Sequence, residues 1–255
     1  MLVAITRQIS PALAHCELTH LERQPIDIAR ATLQHDAYER RLADAGCAVV
    51  RLAAGLDMPD SVFIEDTAVV VDELAIVTRP GAASRRTETP AVADGLGRYR
   101  EVKAIEAPGT MDGGDVFVVG KQVFVGRSSR TNQAAIEQLE ALLAPYDYAV
   151  HAVDVRGCLH LKSAVTAIGD NLLLLNPAWL PDSSFVSFDR LDVDPAEPLA
   201  ANALRIGDQV IYPTSFPRTL ERLIRRGLDV RAVDVSELQK AEGAVTCCSL
   251  IVRQA

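Results

Sequence analysis

Two adjacent thiols, one histidine and several carboxylates are the residues that could do chemistry in this chain. Cys247 and Cys248 offer a nucleophile, because a thiolate attacks electron-poor carbon once its pKa of about 8.5 is lowered. His160 could serve such a thiol as general acid and base. Asp60, Glu65, Asp66, Asp112 and Asp115 could hold a cation. Each also has an ordinary reading: a buried structural thiol, a satisfied histidine, a solvated acidic turn. On a strand, neighbouring side chains face opposite sides, so only one of Cys247 and Cys248 can face a site; the pattern does not say which. Cys158-x-His160 with the Cys247-Cys248 pair could instead ligate zinc, but the spacing matches no paired CxxC signature. No Gly-rich phosphate loop is present, so a nucleotide cofactor is not expected.

The elements that must position these groups repeat. Thr67–Arg86, Val116–Asn132, Ala164–Trp179 and Ala203–Thr219 each read as apolar strand, tight polar turn, apolar strand, then a Pro/Gly/Ser stretch. A period of roughly 45 residues means an array of small units, each covering its neighbour's apolar face. Helices are expected over Asp27–Ala45, with Gly46 as its stop, and over Glu88–Arg98, Asn132–Leu143 and Pro217–Arg226. The reading is one α/β domain, a five-bladed α/β propeller of ββαβ units at 1–58, 59–108, 109–156, 157–196 and 197–243. A strand within 244–255 pairs with Leu2–Thr6 and closes the ring around a central channel. The polar candidates recur at the start of successive units, with Cys247 on the closing strand. Equivalent positions in a ring bring groups distant in sequence to one axis.

Composition narrows the class. The 255 residues are 49% hydrophobic and 24% charged, ordinary for a globular domain. The net charge of −8 and the lack of a basic run argue against a nucleic-acid surface, and an acidic protein suits a cationic substrate. No apolar run approaches the ~20 residues that span a bilayer, and the N-terminus lacks a signal-peptide pattern. The five cysteines therefore read as reduced thiols of a cytoplasmic protein.

PDSVFIED, VTRPGAASRRTE, PGTMDGGDV, GRSSRTN, LHLKS and TCCS occur in this order. Together they resemble the dimethylarginine dimethylaminohydrolases of the guanidine-modifying, or pentein, superfamily, whose fold is a five-fold α/β propeller. The resemblance implies hydrolysis of asymmetric Nω,Nω-dimethylarginine and Nω-monomethylarginine to citrulline and a methylamine, through a covalent thiouronium. It picks Cys247 as the nucleophile, His160 as acid then base, and Asp112 as the carboxylate that orients His160, where some members have Glu. It gives Glu65 and Asp66 the guanidinium, Arg85 and Arg130 the α-carboxylate, and Asp60 with the carbonyls of Leu18 and Ala241 the α-amino group. A guanidinium stays protonated and needs carboxylates once desolvated, and an amino-acid carboxylate favours Arg, so the types suit these roles. No cofactor or membrane or nucleic-acid partner is implied. Zinc binding at Cys247 and His160 would inhibit, and a homodimer is compatible. The other enzyme reading is hydrolysis of arginine itself, for which the inserted helical module of arginine deiminases is missing. A third reading is a binding protein for arginine-like ligands without turnover.

Overall fold

The computed structural model describes residues 1–181 and 183–254. Its first unit is β1 (Leu2–Arg7), α1 (Ile28–Asp44) and β2 (Cys47–Leu52). The second is β3 (Ala68–Val70), β4 (Leu74–Val77), α2 (Thr89–Leu96) and β5 (Glu101–Ala104). The third is β6 (Val116–Val119), β7 (Gln122–Arg127), α3 (Gln133–Leu143) and β8 (Ala149–Asp154). The fourth opens with a single turn of helix, α4 (Leu161–Ala164), then β9 (Val165–Ala167), β10 (Leu172–Leu175) and β11 (Asp189–Asp192). The fifth is β12 (Leu204–Ile206), β13 (Gln209–Pro213), α5 (Pro217–Arg225) and β14 (Asp229–Val233), followed by the short α6 (Ser236–Gln239). The last strand is β15 (Leu250–Arg253).

These strands form five three-stranded sheets built to one rule. A middle strand pairs antiparallel with one neighbour and parallel with the other, as β4 does with β3 and β5. The first sheet obeys the rule only by borrowing: β1 pairs parallel with β2 and antiparallel with β15, with Leu2 opposite Arg253. The antiparallel partners β3, β6, β9, β12 and β15 all contribute residues to one cavity of about 520 Å³, which is the channel of the ring.

The core shows that the ring is closed. Five clusters of buried apolar side chains join the first unit to the second, second to third, third to fourth, fourth to fifth, and fifth back to first. An open array of five units would have only four such seams. The helices cover the outside through one apolar stripe each. In α1 that stripe includes Ala31, Tyr38 and Leu42, and in α3 it is Ala135, Ile136, Leu139 and Leu143. Asp27 caps α1 by accepting the Arg30 N–H at 3.0 Å, and Asn132 caps α3 by accepting that of Ala135 at 3.0 Å. Gly46, at φ +91°, supplies the left-handed stop expected after α1. The fourth unit departs from the pattern: the described part of its crossover is a 3-10 turn at Pro177–Trp179 rather than a helix.

One expectation is corrected. Cys247 does not lie on the closing strand but on a 3-10 turn, Thr246–Cys248, ahead of β15. The same device precedes β3 (Ile64–Thr67) and β6 (Gly113–Asp115), and α4 fills the place before β9. Four of the five inner strands, β3, β6, β9 and β15, are thus entered through a tight helical turn, and these turns pack against one another.

Candidate active site

The turns carry the candidate residues. Asp66 lies on the second unit's turn, Asp112 immediately precedes the third, His160 immediately precedes α4, and Cys247 lies on the last. They meet in one small cavity of about 20 Å³, whose walls also include Asp60, Arg85, Arg130, Ala241 and the unforeseen Glu17, Phe63, Glu242 and Gly243. Close approach of the turns requires glycine at two points. A Cβ on Gly113 would fall 2.1 Å from the Glu65 carbonyl oxygen, and one on Gly114 would fall 2.7 Å from both Asp66 Oδ1 and His160 Nδ1.

His160 is buried between carboxylates. Its Nε2 is 3.1 Å from Asp112 Oδ2, and its Nδ1 is 3.7 Å from Asp66 Oδ1. Asp112 is fixed in turn by the Gly81 N–H, which donates to Oδ1 at 2.9 Å. Burial alone would lower the imidazole pKa, but Asp66, the Asp112 contact and Asp115 outweigh it and raise the value to about 9. Asp66 is held below the usual carboxylate range: burial opposes this, and His160 and Arg85 overcome it. Asp115, the one repeat-start carboxylate with no assigned role, acts behind His160. It accepts the Leu161 N–H at 3.0 Å and the hydroxyls of Ser128 and Thr131, while burial raises its pKa to about 6.

The thiols divide. Cys248 is fully buried, while Cys247 is partly accessible and lines the cavity. Burial pushes the Cys247 thiol well above its ordinary pKa, and Glu65 and Asp66 push it further. Unaided, this thiol keeps its proton at neutral pH.

The residues expected to bind substrate do not all face the cavity. Asp60 does, and it accepts the Glu17 N–H at 3.1 Å. Arg85 does, but its donors are already engaged: Nη1 donates to Asp66 at 2.5 Å, Nε to Glu88 at 3.1 Å, and Nη2 to Glu88 and to the carbonyls of Asp60 and Phe63. Arg130 is freer, with Nη2 donating to the Thr19 hydroxyl at 3.0 Å. Leu18 does not line the cavity; Glu17 takes that place. Glu65 turns away, because Lys162 and Thr246 donate to its carboxylate at 2.5 and 2.7 Å, and it lines the large channel cavity on the far side. Lys162 lies in the LHLKS segment, but the pattern did not give it this role. Glu88 ends the VTRPGAASRRTE segment, which gave it no role, and Glu242 lies in none of the six segments; contacts made only in the fold reveal both. Glu242 accepts the N–H groups of Thr19, His20 and Leu21, which fastens the loop over the cavity.

Among the described residues, Asp66, Asp112 and His160 have atoms close enough together to hold a metal ion, and Cys247 is not part of that group.

A sequence model described as "N,N dimethylarginine dimethylhydrolase, eukaryotic" matches residues 16–190. The chain belongs to the dimethylarginine dimethylaminohydrolase family. It is 40% identical over 253 residues to N(G),N(G)-dimethylarginine dimethylaminohydrolase of Streptomyces coelicolor, covering 98% of this chain and 97% of that one. It is 37% identical to the Pseudomonas aeruginosa enzyme of the same name, covering 88% and 89%. A solved structure of the family from P. aeruginosa, a cysteine-to-serine mutant complexed with citrulline, superposes with a TM-score of 0.93 at 35% identity, over 97% of this chain and 98% of that one. The five-bladed pentein fold and the family expected from the six sequence segments are both borne out. Among the described residues, no helix is long and apolar enough to cross a membrane.

Proposed function

We propose that this protein hydrolyses Nω,Nω-dimethyl-L-arginine and Nω-monomethyl-L-arginine to L-citrulline and dimethylamine or methylamine. The observation that carries the reading is the convergence of the Cys247 thiol, the Asp112-bound His160 and Asp66 in one pocket that Asp60, Arg85 and Arg130 also line. The relatives above bear the name of this activity. Asp66 meets the guanidinium, Arg130 meets the α-carboxylate with Arg85 behind it, and Asp60 receives the α-amino group with the carbonyls of Leu18 and Ala241. Glu65 braces the floor through Lys162 rather than touching the ligand.

The chemistry follows from the charges. The raised thiol needs a positive neighbour, and the substrate's own guanidinium supplies one, so Cys247 loses its proton to solvent as the cation settles. The thiolate attacks the guanidinium carbon and forms a C–S bond. His160, with a pKa of about 9, still carries a proton at neutral pH and gives it to the departing amine as the C–N bond breaks. Its Nδ1 faces Asp66, so a guanidinium nitrogen held by that carboxylate lies within reach. Neutral His160 then takes a proton from water, the oxygen attacks the thiouronium carbon, the C–S bond breaks and citrulline leaves. Splitting one displacement of a poor leaving group into two steps is what covalent catalysis contributes.

The test is citrulline formation, with EDTA present, from dimethylarginine and arginine side by side, in wild type and Cys247→Ser. Wild type should favour the methylated substrate. Cys247→Ser should lose about 10³-fold or more in turnover while still binding the substrate by calorimetry. Full turnover in the variant would remove Cys247 from the mechanism. Citrulline mainly from arginine would move the protein to the deiminase side.

A further inference from the structure

Among the described residues, β12 alone of the five inner strands has no helical turn directly ahead of it. Asn202 stands there instead, two residues before the strand, and is 4% exposed. Its backbone is held from β9. The Thr166 hydroxyl donates to the Ala201 carbonyl at 2.7 Å and accepts the Ala203 N–H at 3.1 Å, so both flanks of Asn202 are fixed.

The side chain reaches across to two of the turns. Nδ2 donates to the Thr246 hydroxyl at 2.9 Å and to the Lys162 carbonyl at 3.1 Å, and Oδ1 accepts the Thr246 N–H at 3.0 Å. A buried amide must be paired, and partners within its own unit would do that equally well. Here all three bonds leave the unit. Thr246 adjoins Cys247, and Lys162 lies two residues after His160. The amide fits only one way round. The Thr246 hydroxyl gives its proton to Glu65 Oε2 at 2.7 Å and the Lys162 carbonyl has none to give, so both need a donor. Lys162 Nζ donates to Glu65 Oε1 at 2.5 Å, which closes a circuit through Glu65, Lys162, Asn202 and Thr246.

We infer that Asn202 is a positioning residue that sets the distance between the Cys247 and His160 turns; the inference rests on the roles proposed above for those two residues. Asn202 does not line the catalytic cavity. Asp60, Asp66 and Arg130, which meet the substrate, take no part in the circuit. Loss of the amide therefore acts on the chemical step and spares binding.

The experiment compares wild type, Asn202→Ala, Thr246→Val and Thr246→Ser. Asn202→Ala should lower kcat for dimethylarginine about a hundredfold and move KM less than about threefold. The Thr246 variants carry the test if Asn202→Ala fails to fold. Valine keeps the backbone bond to Asn202 and loses the hydroxyl, whereas serine keeps both. Thr246→Val should lose kcat about tenfold or more, with KM again little changed, and Thr246→Ser should stay near wild type. A second readout needs no turnover: alkylation of Cys247 by 2-chloroacetamidine, followed by mass spectrometry. The sulfur forms a bond to carbon, chloride leaves and the thiol proton goes to solvent. This rate should fall about tenfold or more in Asn202→Ala and Thr246→Val. Wild-type kcat in both variants, a loss carried by KM, or an equal loss in Thr246→Ser overturns the assignment. If wild type makes no citrulline, the functional reading fails separately and alkylation decides the positioning role: unchanged rates overturn it.

Discussion

At His160, burial by itself would favour a neutral ring, and the carboxylates reverse that preference. The Asp112 contact adds to the charge of Asp66, so removing the Asp112 charge should lower the imidazole pKa. The pH profile of kcat/KM should therefore fall above about pH 9 in wild type, as His160 loses the proton it must donate. Asp112→Asn should move that alkaline limb to lower pH; an unmoved limb would assign it to another group. The choice between the two thiols belongs to the same scale. Sequence periodicity could not make it, and the family pattern chose Cys247. The structure adds a physical reason: within the 3-10 turn Cys247 lines the cavity, while Cys248 packs into the seam between the first and fifth units. Glu65 shows the limit of reading neighbours together. It adjoins Asp66 in sequence, yet Lys162 and Thr246 draw it to the opposite end of the channel.

Among the elements, the strands and long helices were legible because their signals are local: alternating apolar residues, Asp27 and Asn132 caps, and a glycine stop. The helical turns ahead of the inner strands were not legible, since three or four residues show no period. Nor was the loop latch, because Glu242 meets Thr19–Leu21 from more than two hundred residues away. The turns make a prediction of their own. Gly114→Ala would place a methyl group 2.7 Å from both Asp66 Oδ1 and His160 Nδ1, and one of the two must move. We expect kcat to drop at least tenfold with a change in Tm small by comparison, read from steady-state kinetics and calorimetry. A variant with wild-type kcat would mean that the spacing of these turns does not matter to the reaction.

For the molecule as a whole, the ring depends on seams such as the one beneath α1, where His35 lies buried with Nε2 lacking a partner among the described residues. Burial first, then Arg51, lowers its pKa to about 4, against the pull of Glu39. The unfolded chain, near 6.5, therefore binds the proton more readily. The stability due to neutral His35 is present above about pH 6.5 and is lost as pH falls towards 4, by about 3 kcal/mol in all. His35→Gln should flatten that part of a Tm-against-pH curve, and an equal slope in both proteins would place the acid sensitivity elsewhere. The pairing of β1 with β15 bears on how the molecule is made. During synthesis β1 leaves the ribosome long before β15, so one of its edges has no partner until residue 253 follows. For most of translation the nascent chain carries an open strand edge, the kind of edge on which chains associate wrongly. The turn bearing Cys247 immediately precedes the strand that covers this edge, so Cys247 is set in place only as the ring shuts. A partly translated chain thereby lacks the reactive centre proposed above.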